Sequence, residues 1–152
     1  MRIRDKIALG TLAGLAASIP QLILNFFFVS LGISAYYSFQ LSAGVFVRDH
    51  QTTITLGGLL LGGLLWEFAS AFLGVLIVYV LHFTGREYWW LKGILSSISF
   101  MYILIFGFIF DMGIARIIPQ DIGSNFAILF ENALFGIIAS YLVFRWGDYA
   151  RS

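Results

Sequence analysis

The chain has 152 residues, of which 60% are hydrophobic, 18% aromatic and 11% charged, with a formal net charge of +1. A soluble domain carries roughly 25% charged residues, so this composition excludes an ordinary water-soluble globule and asks for lipid as the solvent of its surface. No basic run is long enough to follow a phosphate track, which excludes a nucleic-acid partner, and the absence of cysteine excludes disulfides, thiolate metal sites and cysteine nucleophiles.

A helix needs about 20 apolar residues to cross the hydrocarbon core, and four segments reach that length. The first is expected over 7–31. Arg2, Arg4 and Lys6 precede it, but its apolar run is far longer than the roughly 7–15 residues of a signal peptide. It reads as a retained helix, although Ala16-Ala17-Ser18 has the composition of a cleavage site. Gly10, Gly14 and Ala17 form a small-residue stripe that Gln21 and Asn25 extend. Pro20 has no N–H and frees a carbonyl in the preceding turn. That carbonyl either marks a simple kink or accepts a proton from Gln21, from a protonated Glu67 or from water.

The stretch 36–47 begins with Tyr36 and Tyr37 and is apolar but interrupted by Ser38, Gln40, Ser42 and Gly44. It is either a short interfacial helix on the outer surface or an ordered loop. The second span is expected over 55–83, long enough to tilt or protrude. It carries Gly58 and Gly62, with Gly57 and Gly63 beside them, then Ser70 and Gly74. Glu67 lies near its middle, on a stripe with Gly63, Ser70, Ala71 and Gly74. That stripe suits close helix packing, so Glu67 is expected to face the bundle.

The third span is expected over 91–110, entered through Tyr88, Trp89 and Trp90 at the headgroup level. Ser96, Ser97 and Ser99 have no base beside them and are expected to bond back to their own helix carbonyls. Pro119 breaks the connection 111–124, and Asp121 or Ser124 is placed to cap the fourth span, 125–144. On that helix Asn125, Asn132, Gly136 and Ala139 share one face. Glu131 projects about 100° away, near Ser124 and Ala127. Trp146 and Tyr149 mark its exit.

Lys and Arg collect on the cytoplasmic side. Arg2, Arg4, Lys6, Arg86, Lys92, Arg145 and Arg151 lie on one side of a four-span chain, against Arg48 and Arg116 on the other. The sequence therefore predicts an all-α, integral membrane four-helix bundle with both termini in the cytoplasm, one domain over 1–152, in a plasma membrane.

At about 1.5 Å of rise per residue, Glu67 and Gln21 fall near mid-depth, and Asn25, Glu131 and Asn132 in the outer half. Asp111 and Arg116 form an outer rim. These residues are the candidate intramembrane polar site, read as a pocket that opens outward and narrows near Glu67. A carboxylate at the bilayer centre costs about 2.5–3.5 kcal/mol on insertion scales and needs a proton, water, a cation or a partner such as Arg116.

The catalytic patterns are missing. His50 and His82 lie on opposite sides of the membrane and cannot share a metal. There is no His-Glu-x-x-His, no Gly-x-Ser-x-Gly elbow and no Walker loop. No cofactor and no enzyme activity are expected.

Three stretches carry a resemblance. They are Gly-Thr-Leu-Ala-Gly-Leu-Ala-Ala-Ser-Ile-Pro over 10–20, Thr-Gly-Arg-Glu-Tyr-Trp-Trp-Leu-Lys-Gly over 84–93 and Glu-Asn-Ala-Leu-Phe-Gly over 131–136. Together they resemble small four-span membrane proteins of clostridial and related Gram-positive bacteria. The resemblance implies a four-helix bundle in the plasma membrane; it implies no activity and no site residue.

Two functions follow as expectations. One is a structural or accessory membrane component whose buried polar cluster holds the bundle together. The other is a small channel or carrier for a proton, a cation or a small polar solute. The partners expected are the bilayer and, through the Gly-rich faces, a second copy or another membrane protein.

Overall fold

The computed structural model describes residues 3–108, 112–113, 117 and 119–147. Its elements are helices, with no strand among the described residues. Helix α1 spans Lys6–Ser30 and starts where the Asp5 carboxylate accepts the Ala8 N–H at 2.6 Å. It runs unbroken through Pro20. Two short helices follow, α2 at Ser38–Ala43 and α3 at His50–Thr53. The first of them lies within the stretch expected to hold an interfacial helix. Helix α4, Leu56–Thr84, is capped by the Thr55 hydroxyl and ends at Gly85, whose φ of 82° suits glycine.

Helix α5, Trp89–Ser97, continues as a π-helical stretch over Ile98–Phe108. A uniform third helix was the sequence expectation. The stretch is dense in β-branched and aromatic side chains, which have low α-helix propensity. Helix α6, Ile122–Trp146, starts at Asp121, which accepts the Ser124 N–H at 2.7 Å.

Three of these helices, α1, α4 and α6, are long and apolar enough to cross a membrane. Their outer faces present large apolar groups, such as Phe68 at 75% exposure, together with Ile19, Ile23, Leu64, Phe126 and Phe130. Soluble monomers rarely leave apolar surface of this kind uncovered, which suits helices that face lipid.

Glycines set the helix packing. On α1, Gly10 sits against the backbone of Gly74 and Val75, and Gly14 against Ser70 and Ala71, so α1 and α4 run antiparallel with backbones touching. Gly93 of α5 and Gly136 of α6 meet in the same way, and Gly62 of α4 receives the Phe39 carbonyl of α2. A core of Leu9, Ala13, Leu73, Ile77, Phe135 and Val143 fills one half of the bundle. Leu41, Ile117 and Ile128 form a smaller one in the other half.

One end of the bundle gathers the basic groups. Lys6 Nζ lies 2.9 Å from His82 Nε2. Arg86 donates to the Gly147 carbonyl at 3.0 Å, and Lys92 donates to the carbonyls of Thr84 and Gly85 at 2.8 Å. The last two carbonyls close α4, where a cation also offsets the negative end of the helix dipole.

Candidate functional site: polar groups between the helices

Glu131 is 1% exposed. Its Oε1 accepts from Asn25 Nδ2 of α1 at 3.0 Å, and its Oε2 accepts from the Ser38 hydroxyl of α2 at 3.5 Å. Asn25 Oδ1 in turn accepts the Ser38 backbone N–H at 2.9 Å. Three elements are thus tied at one carboxyl group. The segment before α2 is held by Asn25 and by Ser124: Asn25 Nδ2 reaches the Tyr36 carbonyl at 3.4 Å, and the Ser124 hydroxyl of α6 accepts the Ala35 N–H at 2.8 Å.

The sequence places Asn25 and Glu131 in one site, and here they touch. Glu131 is inside because α6 buries a broad arc. Asn132, Gly136 and Ala139 are buried, and so are Ser124, Ala127 and Glu131 about 100° around the helix. Gly136 meets α5, while Glu131 and Ser124 bond to α1 and to the segment leading into α2.

Glu67 belongs to a separate pair. Its two oxygens accept from the Ser18 hydroxyl at 3.0 and 2.9 Å, and that hydroxyl also lies 2.8 Å from the Leu15 carbonyl. Glu67 is only half-buried. The buried stripe of α4 runs through Gly58, Gly62, Trp66, Ser70 and Gly74, so Trp66 takes the central position and Glu67 flanks it. The Glu67 and Glu131 groups are bridged to different partners and do not form one continuous cluster.

Gln21 is buried at 2% exposure, yet among the described residues its side chain forms no hydrogen bond, to the carbonyl freed by Pro20 or to anything else. Asn132 donates Nδ2 to the Ile128 carbonyl at 2.8 Å, while its Oδ1 is buried without a partner. The Ser97 hydroxyl does not bond back to its helix as expected; it too is buried without a partner, as is Trp66 Nε1. Asp111 and Arg116, expected at the outer rim, lie outside the described residues.

A cleft of about 380 Å³ lined by Leu22, Asn25, Phe26, Tyr37, Ser38 and Leu59 reaches the Glu131 network from the side. A second, of about 300 Å³, lies beside Tyr102 and Asn125. The Tyr102 hydroxyl donates to Asn125 Oδ1 at 3.2 Å, and Asn125 Nδ2 donates to the carbonyls of Pro119 and Asp121 at 3.0 and 2.8 Å. Among the described residues, no group of three His, Asp or Glu side chains is placed to hold a metal ion.

No family model, no curated protein and no solved structure matches this chain.

Sequence reasoning missed Ser18, Ser38 and Trp66. Ser18 lies one turn from Gly14, Ser38 directly after Tyr36 and Tyr37, and Trp66 next to Glu67. Ser18 carried a readable signal, because it continues the Gly10–Gly14 stripe that packs on α4. Ser38 did not, since its position depends on how the 31–37 connection folds back.

Proposed function

We propose that this chain is a four-span plasma-membrane protein with both termini in the cytoplasm and a structural or accessory, non-catalytic role. Its polar side chains act as fasteners between helices. Support for the topology comes from Lys6, His82, Arg86 and Lys92 gathering at the end that also holds the Ile3–Gly147 bridge. Support for the fourth span comes from α5 and its π continuation, which pair antiparallel with α6 through Gly93 and Gly136.

One observation carries the functional reading. Glu131 is enclosed, and neutral donors from α1 and α2 occupy its oxygens. A transported ion would have to displace those donors, whereas a fastener needs them in place.

The test is thermal unfolding of the full chain in detergent. Glu131→Gln keeps an acceptor oxygen and is expected to hold the midpoint near wild type. Glu131→Ala strands the Asn25 amide and the Ser38 hydroxyl, at about 0.6–1.7 kcal/mol per interhelical bond, and lowers the midpoint by several degrees. Equal midpoints for Ala and wild type would remove the fastening role. Cation flux in proteoliposomes that Glu131→Gln abolishes would favour the carrier instead.

A further inference from the structure

Among the described residues, three buried polar atoms lack partners: Trp66 Nε1 on α4, Ser97 Oγ on α5 and Asn132 Oδ1 on α6. Gln21 on α1 is 2% exposed as a residue, and its amide forms no hydrogen bond among the described residues. Each of the four long segments contributes one. Burial without a partner forfeits the hydration of these groups, and buried polar groups are nearly always satisfied. A lone orphan is a local imperfection; four of them, one per segment, call for a common explanation.

Their heights in the bundle coincide. Gly93 of α5 faces Gly136 of α6. One turn along α5 is Ser97, and one turn back along antiparallel α6 is Asn132, so these two are level. On the other side, Gly10 faces Gly74, Gly14 faces Ser70 and Ser18 meets Glu67. Continuing that register puts Trp66 level with residues 18–19 of α1, two to three residues from Gln21. Asn25, one turn beyond Gln21, bonds to Glu131, the neighbour of Asn132. At about 1.5 Å per residue, the four groups fall within roughly 8 Å along the bundle axis. All four belong to the buried faces of their helices, which turn toward the other helices and away from lipid.

We propose that this level of the bundle is an internal binding site for a small neutral guest that both accepts and donates hydrogen bonds. The chemistry follows from the groups themselves. An indole N–H is only a donor, so the guest must offer a lone pair to Trp66. Asn132 has already committed its amide to the Ile128 carbonyl and offers only oxygen, so the guest must also donate a proton. A bare metal cation fails the first requirement and an anion fails the second. Ser97 and Gln21 each donate and accept, and accommodate either orientation. Water meets these requirements, and so does a small hydroxyl or amide solute. The site lies between the Glu131 network and the Ser18–Glu67 pair without using either, so it does not depend on the fastening role proposed above.

The experiment uses the full chain in nanodiscs with 15N-labelled tryptophan. The chain has four tryptophans, and Trp66→Phe assigns the Trp66 indole signal. The expected result is a cross-peak between the Trp66 indole proton and the water resonance, with slow exchange of that proton because it is buried. Adding urea or glycerol separates the two sources. A saturable shift of the Trp66 signal with loss of the water cross-peak identifies a solute site; an unchanged cross-peak identifies water. A Trp66 indole with no water cross-peak and no response to either solute overturns the proposal.

Ser97→Ala gives a second readout, because Ser97 makes no bond that the substitution would remove. A guest bound to Ser97 makes this variant unfold about 2–4 °C lower and moves the Trp66 signal. A higher or unchanged midpoint with an unmoved Trp66 signal also overturns the proposal, since deleting a dry orphan is neutral or stabilising.

Discussion

Asp49 and Asp121 close helices by accepting N–H groups at their first turns, and both lie outside the long apolar helices. The Thr52 hydroxyl, 2.7 Å from Asp49, holds that carboxyl below its ordinary value of 3.8, helped by the Gln51 N–H. The Ser124 N–H does the same for Asp121, followed by the Ser124 hydroxyl. A carboxyl whose folded value is depressed stabilises the fold above its unfolded value of 3.8, and that contribution fades as pH falls through the lower folded value. Acidification from about pH 5 to about pH 2 is therefore expected to lower the protection of the Ser124 and Asn125 amides at the start of α6, measured relative to their intrinsic exchange rates at each pH. Hydrogen exchange read by mass spectrometry checks this. Asp121→Asn, an equally good cap that does not titrate, is expected to show no such acid dependence at that helix end. At this scale much was legible. Asp121 as a cap and the Asn25–Glu131 neighbourhood follow from residue type and spacing. The separation of Glu67 from Glu131 does not, because it turns on a rotation of α4 by one residue, with Trp66 taking the inner position. Helical spacing alone left Gly63 and Gly62 equally able to lead the packing stripe.

At the scale of elements, the length of the apolar runs places the helices, and the glycine pattern places their contacts. Expected limits of 7–31, 55–83 and 125–144 compare with Lys6–Ser30, Leu56–Thr84 and Ile122–Trp146. The third element is where sequence reasoning falls short. Hydropathy does not distinguish an α from a π winding, and neither does residue type, since α1 carries Phe26, Phe27, Phe28 and Val29 in α-helix. The Gly-x-x-x-Gly pattern left two uses open, packing inside the chain or against another copy. Gly10, Gly14, Gly62 and Gly74 are covered by the chain's own backbone, so an oligomer would have to use other surfaces. A methyl group at Gly14 would collide with the Ser70 carbonyl, and one at Gly10 with the Val75 backbone. Backbone atoms yield less than a flexible side chain. Gly14→Val is accordingly expected to separate α1 from α4, lose the Ser18–Glu67 bonds, and destabilise the chain by at least the roughly 1–3 kcal/mol of ordinary overpacking. Gly57, with open space around it, is the control: Gly57→Ala should match or exceed wild type, because alanine is the better helix former. Thermal midpoints in one detergent measure both, and a Gly14→Val chain as stable as wild type would break the packing account.

For the whole molecule, the deciding question is whether the Trp89–Phe108 segment crosses the membrane. Length and composition license α1, α4 and α6 as spans, and three spans alone would leave the two termini on opposite sides. The basic end argues against that. Lys6 at the start of α1 lies beside His82 at the end of α4, and Arg86 reaches Gly147 just past α6. Those contacts bring the end of α6 beside the start of α1 and the end of α4, which supports the proposed fourth crossing between α4 and α6. The α5 and π segment, Trp89–Phe108, is the candidate for that crossing. The chain contains no cysteine, so single cysteines introduced at exposed positions can be read without background. Glu87→Cys is expected to be shielded in intact cells from a membrane-impermeant thiol reagent, and to label after permeabilisation. Gln51→Cys and Gln120→Cys are expected to label in both conditions. If the third segment did not cross, Glu87 and Gln120 would label alike, and the proposed four-span arrangement would fail.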